Sequence, residues 1–399
     1  MEEVEIPSYF LCPVSLQMMR DPVTLPTGIT FDRHSIERWL FSDSNHNTCP
    51  VTKQPLPASV DLTPNHTLRR LIQAWCVANA SNGVERIPTP RPQIQLSHIS
   101  NLLLETKRSP ANHLPFLHKL QDIISASEAN RRCVESSEAV EFLSSIILED
   151  HGDEALAILH SLQISPQRFL TLLRKNQSFL DSLFHVLQLS SFKSRAYATL
   201  LLKSVIPLVS PANLSSKIQE EKIHEIVNVV IDRISNQATK AALQVLIELF
   251  SWGRNRVKAV NAGAVYALID LLLEEEDKRV CELSLVALDK LCACAEGRAA
   301  LIGHAAGVAV VSKKILRVSQ VASERAVRIV EKVAKLSASP VVLQEMVQVG
   351  VVSKLCLLLQ VECGMKEKEK AREILRLHAR VWKDSPCLSP QLLCSYPCS

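Results

Sequence analysis

The chain has few of the residues that build large β-sandwiches. Its 399 residues include only 10 glycines and four tyrosines, and this composition favours helices over many short strands joined by tight turns. The sequence contains no run of about 18 apolar residues, so it predicts no membrane-spanning helix. The amino-terminal residues MEEVEIPSYF are acidic and have no apolar core, which is not the pattern of a secretory signal.

A large excess of charge of one sign is also missing. The 45 basic and 41 acidic residues leave a net charge of +4, a balance too even to indicate a nucleic-acid-binding protein. The 12 cysteines are scattered and do not form the pattern of a disulfide framework, so we expect free thiols in a reducing compartment. On this basis we expect a cytoplasmic protein, and a nuclear or membrane-peripheral location is left open.

Four segments with different patterns follow one another along the chain. Residues 5–80 combine short mixed patterns with turn signals and several prolines. Alternating prolines indicate that residues 81–95 form an extended linker. Residues 96–383 show a leucine-rich helical pattern almost throughout, and residues 384–399 have the composition of a flexible tail. The sequence therefore predicts a small domain, a linker, a long helical region and a tail.

The long helical region repeats with a period close to 42 residues. Arg298 lies 42 residues after Arg256, and Arg131 occupies the same place 125 residues before Arg256. A period of this length is typical of armadillo and HEAT repeats, of which about five or six would fit here. Such helix groups stack because one alone cannot bury its apolar face, and the stack forms a solenoid with a long groove. The glycines that precede an apolar run, which resemble the armadillo signature, are Gly263, Gly307 and Gly350.

The third helix of each repeat is expected to line this groove. Aligning the stretches VLIELF, ALDKLC and RIVEKV places Glu248, Lys290 and Glu331 at one equivalent position, which makes them candidates for binding a substrate protein. Armadillo proteins of nuclear import carry asparagine at what resembles this position, so charged residues of mixed sign disfavour a nuclear-import function. A solvated face without a partner is the alternative for these three residues.

The amino-terminal domain keeps the outline of a zinc site but lacks its ligands. Two loops begin with Cys-Pro-Val, at Cys12 and Cys49, and each continues with a hydroxyl residue where a C-x-x-C pair would need sulfur. Residues 1–80 contain too few cysteines and histidines, and none in a close pair, for two tetrahedral zinc sites. We therefore predict no metal and no cofactor. Hydrogen bonds are expected to replace the metal, and the candidates for them are Ser15, Thr52, Asp21, Asp32, Arg33 and Lys53.

A hairpin and two helices are predicted in the same domain. The stretch DPVTLPTGITF alternates around residues 26–28, which predicts a short β-hairpin with glycine in its turn. Asp32 is expected to cap a first helix, and Thr63 is expected to cap a second helix with Pro64 in its first turn. The apolar faces of these helices comprise Ile36, Trp39 and Leu40 in the first and Leu68, Leu71, Ile72 and Trp75 in the second. This order of elements is typical of a RING-type domain.

These stretches together resemble a known domain. FLCPVSLQMMRDPVTLPTGITFDRHSIERWL, TCPVTKQPL and LTPNHTLRRLIQAW are similar to the U-box, the zinc-free relative of the RING. Joined to armadillo-like repeats, they make the chain resemble a plant U-box/armadillo ubiquitin ligase, and in particular the short members with little sequence before the U-box. The resemblance implies a mainly α fold, in which a small α+β U-box is followed by an α-solenoid of armadillo-like repeats.

The resemblance also implies a RING-type mechanism with no nucleophile on this chain. A ubiquitin-conjugating enzyme that carries ubiquitin would dock on Val14, Leu16, Trp39, Pro50 and Lys53. Of these residues, Lys53 would be the linchpin that positions ubiquitin for transfer. The residues expected to hold the U-box together are Cys12, Pro13, Asp21, Pro22, Gly28 and Cys49.

The function that the resemblance implies is direct transfer of ubiquitin to a lysine of a protein substrate held in the armadillo groove. Several short members of the family act in immune and stress signalling, so a regulator of plant defence or stress responses through protein turnover is expected. Pairing of U-boxes into a homo-oligomer is a further expectation. The alternative is an armadillo scaffold whose U-box is inactive, but acceptable residue types at all five docking positions favour the ligase.

Overall fold

The computed structural model of the protein describes residues 5–40, 48–57, 60, 62–87, 94–189, 191–210, 218–362, 364–383, 388 and 396–397. It contains two compact units, which are Met1–Phe142 with Ser161–Gln163 and Leu143–His160 with Ile164–Ser399. Residues 88–93 of the predicted linker and most of the predicted tail lie outside the described residues. The two units are treated separately below.

A small antiparallel sheet lies at the start of the first unit. Its strands are β1 (Pro22–Thr24), β2 (Thr30–Asp32) and β3 (Thr63–Pro64), in the order β2-β1-β3. In the predicted hairpin Val23 pairs with Phe31, and Gly28 at the turn has a φ of 81°. Glycine adopts this left-handed conformation without the steric penalty of other residues. The hairpin prediction is confirmed.

Two helices complete the small domain, α1 (Arg33–Leu40) and α2 (His66–Ala78). Helix α1 buries Ile36 and Leu40, as the periodicity predicts. The predicted start of the second helix is wrong, because Thr63 and Pro64 pair with β1 and Asn65 caps α2 through a hydrogen bond from the Leu68 amide. Leu71 was expected on the buried face, but its side chain is 53% exposed.

The core of this small domain is apolar and continuous. Phe31 and Ile36 are completely buried, and so are the thiols Cys12, Cys49 and Cys76. The indole of Trp39 is only partly buried and packs on the outside of this cluster. Burial of large apolar side chains is the main favourable contribution to folding, so the domain has a core of its own despite its small size.

The rest of the chain is helical in the described residues. The helices up to residue 205 are α3 (Leu96–Thr106), α4 (His113–Ala126), α5 (Glu128–Ser136), α6 (Ala139–Ser145), α7 (Gly152–Ser161), α8 (Pro166–Lys175), α9 (Phe179–Val186) and α10 (Phe192–Val205). The later helices are α11 (Glu220–Asp232), α12 (Asn236–Leu249), α13 (Gly253–Asn261), α14 (Ala264–Glu274), α15 (Lys278–Leu291), α16 (Ala295–Gly303), α17 (Gly307–Lys314), α18 (Gln320–Leu336), α19 (Pro340–Gln348), α20 (Val351–Gln360), α21 (Met365–Leu377) and α22 (Ala379–Trp382). Short 3₁₀ turns occur at Ser8–Phe10, Ala80–Asn82, Pro110–Asn112 and Ile206–Leu208.

The second unit shows the predicted repeat of helices. Helices α13, α14 and α15 form one group of three, and α16–α18 and α19–α21 repeat the arrangement. The third helices pack against one another in order, from α10 through α12, α15 and α18 to α21. Most of these third helices begin at a side chain that accepts a hydrogen bond from the first turn, and the capping residues are Ser191, Ser235, Asp277 and Ser319.

The three glycines that precede an apolar run have two different roles. Gly263 and Gly350 precede α14 and α20 in the left-handed conformation, with φ values of 80° and 78°. Gly307 has an ordinary φ and instead allows close approach, because an added Cβ would lie 1.9 Å from the carbonyl oxygen of Leu301. A turn therefore separates two helices at each of the three glycines, but only Gly263 and Gly350 adopt the left-handed conformation there.

Within the described part of the chain, no single helix is long and apolar enough to cross a membrane. Helices α19 and α20 meet the length and composition criteria only when taken together, and they are bent by 59° at their junction.

Candidate functional site

Two loops of the small domain have the same conformation. Leu16 donates its backbone N–H to the Cys12 carbonyl at 2.8 Å, and Cys12 donates to the Gln17 carbonyl at 2.8 Å. The loop 37 residues later repeats both bonds, from Lys53 to Cys49 and from Cys49 to Gln54, at 2.9 Å each. An isolated bridge closes each loop at equivalent places, Leu11 with Met18 and Thr48 with Pro55. The two Cys-Pro-Val stretches are thus structural duplicates.

Each loop turns through a strained residue at the same position. Leu16 has a φ of 55° and Lys53 has a φ of 58°. The left-handed region costs a residue with a side chain about 1–2 kcal/mol. Such strain is retained where surrounding bonds fix the backbone, and it often accompanies a functional position. The backbone strain at these two residues therefore indicates that the tips of both loops are candidate functional positions.

The two cysteines act as hydrogen-bond acceptors in these loops. The Cys12 sulfur accepts the Asp32 backbone N–H at 3.3 Å, and the Cys49 sulfur accepts the Thr27 hydroxyl at 3.5 Å. Burial alone would raise the pKa of both thiols, but hydrogen bonds from the loop outweigh it and lower the pKa of each. The hydroxyls of Ser15 and Thr52 contribute to this lowering, each on the cysteine of its own loop. Hydroxyl and backbone donors therefore occupy the role that a metal would have.

Charged side chains tie the first loop to the hairpin. The Asp32 carboxylate accepts the backbone N–H groups of Arg20 and Asp21 at 2.7 and 3.0 Å, so these bonds replace the capping role predicted for it. Asp21 forms an ion pair with Arg33, with Nε and Oδ2 2.6 Å apart, and a longer one with Arg69. Asp21, Asp32 and Arg33 therefore belong to the network that the sequence predicts.

Lys53, the fourth charged residue predicted for this network, has a different contact. Its ammonium lies 5.7 Å from the centre of the Trp39 ring, a cation–π distance. The Trp39 indole N–H donates to the Thr48 carbonyl at 3.0 Å, which holds the ring against the second loop. The structure therefore brings Trp39 and Lys53 together, with Pro50 half-buried in the same loop.

The first loop carries the most exposed apolar side chains of the predicted docking set. Leu16 is 75% exposed and Val14 is 39% exposed. Sequence reasoning missed Val51, the counterpart of Val14 in the second loop, which is 48% exposed. The repeat of Cys-Pro-Val was the signal that could have identified it. Among the residues expected to be structural, Pro22 is buried and its carbonyl accepts the Asn65 N–H at 2.8 Å, whereas Pro13 is exposed.

The predicted groove residues lie on the third helices, but their alignment is off by one residue. The Lys290 ammonium donates to the Ile247 carbonyl of the preceding third helix at 2.9 Å. The Lys332 ammonium donates in the same way to the Asp289 carbonyl, so Lys332 and not Glu331 is the counterpart of Lys290. Glu331 pairs with Lys335 and Lys370 at 2.9 and 3.3 Å. Glu248 is exposed.

A buried carboxylate lies next to these lysines. Asp289 is 2% exposed and pairs with Arg325, Arg328 and Lys332 of the next third helix at 3.2, 3.1 and 2.6 Å. The sequence pattern does not distinguish this buried aspartate from one exposed to solvent, so its burial could not be predicted. Among the residues that the structure describes, no group of three or more His, Cys, Asp or Glu side chains could hold a metal ion.

Comparison with known proteins identifies both parts of the chain. A family model of the U-box domain matches residues 6–81, and a model of the plant U-box protein ARM repeat region matches residues 96–398. In Arabidopsis thaliana, E3 ubiquitin-protein ligase PUB23 is 50% identical, over 100% of this chain and 98% of that protein. E3 ubiquitin-protein ligase PUB22 is 46% identical, over 99% of each. This chain belongs to the plant U-box/armadillo family of E3 ubiquitin ligases.

Solved armadillo structures agree with the fold of the repeat region. A structure from work on the interaction between cadherin and β-catenin matches 78% of this U-box/armadillo ligase and 58% of its own chain, with a TM-score of 0.60 and 13% identity. A designed armadillo repeat protein matches 60% of this chain and 99% of its own, with a TM-score of 0.50 and 18% identity. These likenesses show the fold alone. The predicted fold class and the predicted enzyme class, a RING-type E3 ubiquitin transferase, are confirmed.

Proposed function

We propose that this ligase docks a ubiquitin-loaded conjugating enzyme on the two U-box loops and α1, and recruits a protein substrate in the groove of its armadillo repeats. The conformation and exposure of Leu16 are the main support for docking of the conjugating enzyme. It is a leucine at a φ of 55° with 75% of its surface exposed, so it has the strain of the left-handed region without the benefit of burial. Contact with a partner protein accounts for both features.

The neighbouring residues support the same surface. Val14 and Val51 project from the two rigid loops and add exposed apolar area beside Leu16 and Pro50. Exposed apolar groups that are held in place are typical of protein-binding surfaces. Trp39, with its ring partly exposed and its N–H already bonded to Thr48, can offer its remaining face to the same partner.

We propose that Lys53 positions ubiquitin. Its ammonium is exposed and rests on the Trp39 ring, and such a contact at an exposed site is worth only about 0.5–1 kcal/mol. The ammonium can therefore exchange this contact for hydrogen bonds to carbonyl groups of ubiquitin and of the conjugating enzyme. Those bonds would hold the carboxyl-terminal tail of ubiquitin so that the thioester linking it to the conjugating enzyme is open to attack by a lysine.

The chemical step then takes place between the partners. The neutral amine of a substrate lysine attacks the thioester carbonyl and forms the new isopeptide bond. The carbon–sulfur bond breaks, the thiolate of the conjugating enzyme leaves, and the amine releases one proton to the solvent. This chain contributes proximity and orientation, which can supply several kcal/mol of the barrier. Cys12 and Cys49 have no exposed surface, so neither can take ubiquitin as a nucleophile.

We further propose that the ligase acts in the cytoplasm and regulates plant defence or stress signalling by protein turnover. Support comes from the scattered free thiols, which suit a reducing compartment, and from the resemblance to the short family members. Pairing of U-boxes is proposed as well, since Tyr9, Leu71 and Val77 are more than half exposed on this domain. A single-subunit mass in light scattering would rule out the pairing.

Self-ubiquitination by the purified full-length chain tests the docking surface. The reaction contains activating enzyme, a panel of conjugating enzymes, ubiquitin and ATP. Leu16→Asn is the most informative variant, because asparagine tolerates a positive φ better than leucine and removes only the apolar contact. We expect it to lower the rate at least about tenfold without lowering stability, and Lys53→Ala to lower the rate while conjugating-enzyme binding persists.

Leu104→Gln is the matched control, because Leu104 is 60% exposed on α3 and lies outside the U-box. It should leave the rate unchanged. A zinc chelator should also leave the ubiquitin ladders unchanged. Full activity of Leu16→Asn would contradict the proposal that the conjugating enzyme docks on this surface. Absence of ladders with every conjugating enzyme, from folded protein, would favour the armadillo scaffold with an inactive U-box.

A further inference from the structure

A cationic patch runs across two neighbouring repeats of the second unit. It consists of Arg256 on α13, Lys290 on α15, and Arg325, Arg328 and Lys332 on α18. The last three surround one carboxylate, that of Asp289. Arg256 and Arg325 both lie close enough to Lys290 to lower its pKa by repulsion, in addition to the larger effect of burial. The five cations therefore form one contiguous surface.

The carboxylates near this patch do not balance its charge. Asp289 is 2% exposed and lies beneath the three α18 cations, so it stabilises them without being presented to a ligand. Glu248 is the other acid that acts on Lys290. Since Asp289 is buried, the other charges that act most strongly on Lys290 are two cations, Arg256 and Arg325, against the single carboxylate of Glu248. The surface around Lys290 is therefore positive, although the whole chain is nearly balanced.

Two of the arginines have donor groups without a partner. The side chain of Arg256 makes no hydrogen bond or ion pair with any residue that the structure describes, and its Nε is buried. The Nε of Arg325 is likewise buried without a partner. Buried donors are nearly always satisfied in folded proteins, because an unsatisfied one carries a desolvation penalty. A ligand that carries negative charge would offset the mutual repulsion of these cations and favour the charged form of Lys290.

We propose that this patch binds an acidic, extended segment of the substrate protein. The proposal deepens the substrate recruitment proposed above and rests on it. Neighbouring helices pack about 8–10 Å apart, and side chains on one face of an extended chain repeat about every 7 Å. Carboxylates at alternate positions of one segment can therefore reach cations on α15 and α18 together.

Fluorescence anisotropy with the full-length ligase tests this proposal. The probe is a labelled peptide of about eight alternating glutamate and serine residues, long enough to cross two packed helices at about 3.3 Å per residue. Matched peptides carry glutamine or lysine in place of glutamate. We expect the glutamate peptide to bind with an affinity that falls as salt rises, and the glutamine and lysine peptides to bind at least about tenfold more weakly.

Arg256→Gln is the decisive variant, because no hydrogen bond or ion pair of the Arg256 side chain is found within the described chain, so the substitution removes no such bond from the fold. We expect it to weaken glutamate-peptide binding about tenfold. Arg254→Gln is the matched control on the same helix, since Arg254 is exposed, and it should change the affinity less than about twofold. Arg328→Gln, at the other end of the patch, should also weaken binding.

Three outcomes would overturn the proposal. They are no binding of the glutamate peptide, equal binding of the glutamine peptide, or equal losses from Arg254→Gln and Arg256→Gln. Displacement of the peptide by a much tighter single-stranded oligonucleotide would instead assign the patch to nucleic acid. Each variant is also assayed for self-ubiquitination, so that loss of peptide binding with intact ladders separates a failure in the groove from a failure of the ligase activity.

Discussion

At the scale of single residues, Cys12 and Cys49 occupy the places of metal ligands but work as hydrogen-bond acceptors. A typical hydrogen bond contributes about 1 kcal/mol net, whereas a structural zinc contributes about 10–16 kcal/mol in small domains. The bonds at the two sulfurs therefore cannot replace zinc alone. The remaining stability has to come from the buried cluster around Phe31 and Ile36, which anchors the hairpin and α1.

Glu37 is a residue that works against this stability. Its side chain is almost fully buried, and Oε1 has no hydrogen-bond partner and lies 3.7 Å from Arg33 Nη1. Burial raises the pKa of Glu37, Arg33 opposes the rise, and the more distant charges of Glu128, Asp21 and Arg132 modify it. Because the folded state prefers the protonated carboxyl, the contribution of Glu37 to stability is most favourable below the usual glutamate pKa of 4.5 and is lost as the pH rises through the raised value.

We predict that Glu37→Gln raises the free energy of unfolding of the first unit by about 1 kcal/mol at pH 7. The gain should shrink as the pH falls, because the wild-type carboxyl then becomes neutral as well. Urea unfolding between neutral and mildly acidic pH measures both effects. The exposed Glu105→Gln is the control and should have little effect at any pH. A variant less stable than wild type at pH 7 would show that the ion pair with Arg33 outweighs the burial.

Some of these residue-scale features could be read from the sequence and others could not. The Cys-Pro-Val repeat predicts two loops of the same kind, because the pattern is local. The hydrogen-bond partners of Asp32, by contrast, lie 11 and 12 residues away in the sequence. They could not be predicted, because the geometry of the hairpin decides which backbone N–H reaches the carboxylate. The strain at Leu16 and Lys53 also depends on how each loop closes. Local propensity carries no information about such contacts.

At the scale of elements, the caps of the third helices tie successive repeats together. Asp277 caps α15 and also accepts from Lys240 of α12 at 2.9 Å. The hydrogen bond from the Val280 N–H, and then that from Lys240, lower its pKa from 3.8 to about 2. A lowered pKa means that the stabilisation is present above the unfolded value and is lost as the pH falls through the folded value.

We predict that Asp277→Asn lowers stability at neutral pH, because the amide can still cap the helix but has no charge for Lys240. The difference from wild type should stay constant above about pH 4 and disappear as the pH falls towards about 2. Unfolding by urea across this range measures it. Asp277→Ala, which removes cap and charge together, should be less stable than Asp277→Asn at neutral pH. A difference that does not change between pH 4 and 2 would show that the charge has no role.

The glycines offer a second test at this scale. Gly307→Ala would place a Cβ 1.9 Å from the Leu301 carbonyl oxygen, so the backbone must move, and we predict a loss of about 2–3 kcal/mol. Gly350→Ala meets no atom within 4 Å but must keep a φ of 78°, which should cost about 1–2 kcal/mol. The two variants are compared by urea unfolding of the full chain.

Gly253→Ala serves as the control for both glycine variants. Its φ is ordinary and the nearest atom to an added Cβ is the flexible Arg256 Nη2 at 3.7 Å. It should be neutral or slightly stabilising, because alanine has less freedom in the unfolded chain. If Gly307→Ala is as mild as this control, the turn before α17 can relax in a way that the structure does not show.

The element boundaries show where sequence reasoning lost accuracy. The helical period fixes the repeat and the apolar faces, because it averages over many residues. The start of α2 shifted by two residues, since the sheet pairing of Thr63 and Pro64 outweighed their preference for a helix start. The groove alignment shifted by one residue at Glu331, because the irregular spacing of the repeats cannot be resolved without the bonds of Lys290 and Lys332.

At the scale of the whole molecule, the two proposed binding surfaces belong to different compact units. The loop residues Leu16 and Lys53 lie in the first unit, and the cationic patch lies in the second. Under the proposed function the ligase joins two recognition events, and we expect each to be removable by a single substitution that leaves the other unit unchanged. Modification of the ligase itself would then require only the first event, whereas modification of another protein would require both.

This difference gives a prediction for a model substrate. The substrate is a lysine-containing test protein fused to the alternating glutamate–serine segment, and a fusion with glutamine–serine is its control. We expect wild type to ubiquitinate the first fusion and not the second. Arg256→Gln should still form self-ubiquitin ladders but lose about tenfold in substrate modification at limiting substrate. Leu16→Asn should bind the fusion normally but modify both the fusion and itself at least about tenfold more slowly. Two outcomes would contradict this prediction: loss of self-ubiquitin ladders in Arg256→Gln, or loss of substrate binding in Leu16→Asn. Either one would show that the two binding surfaces do not act independently.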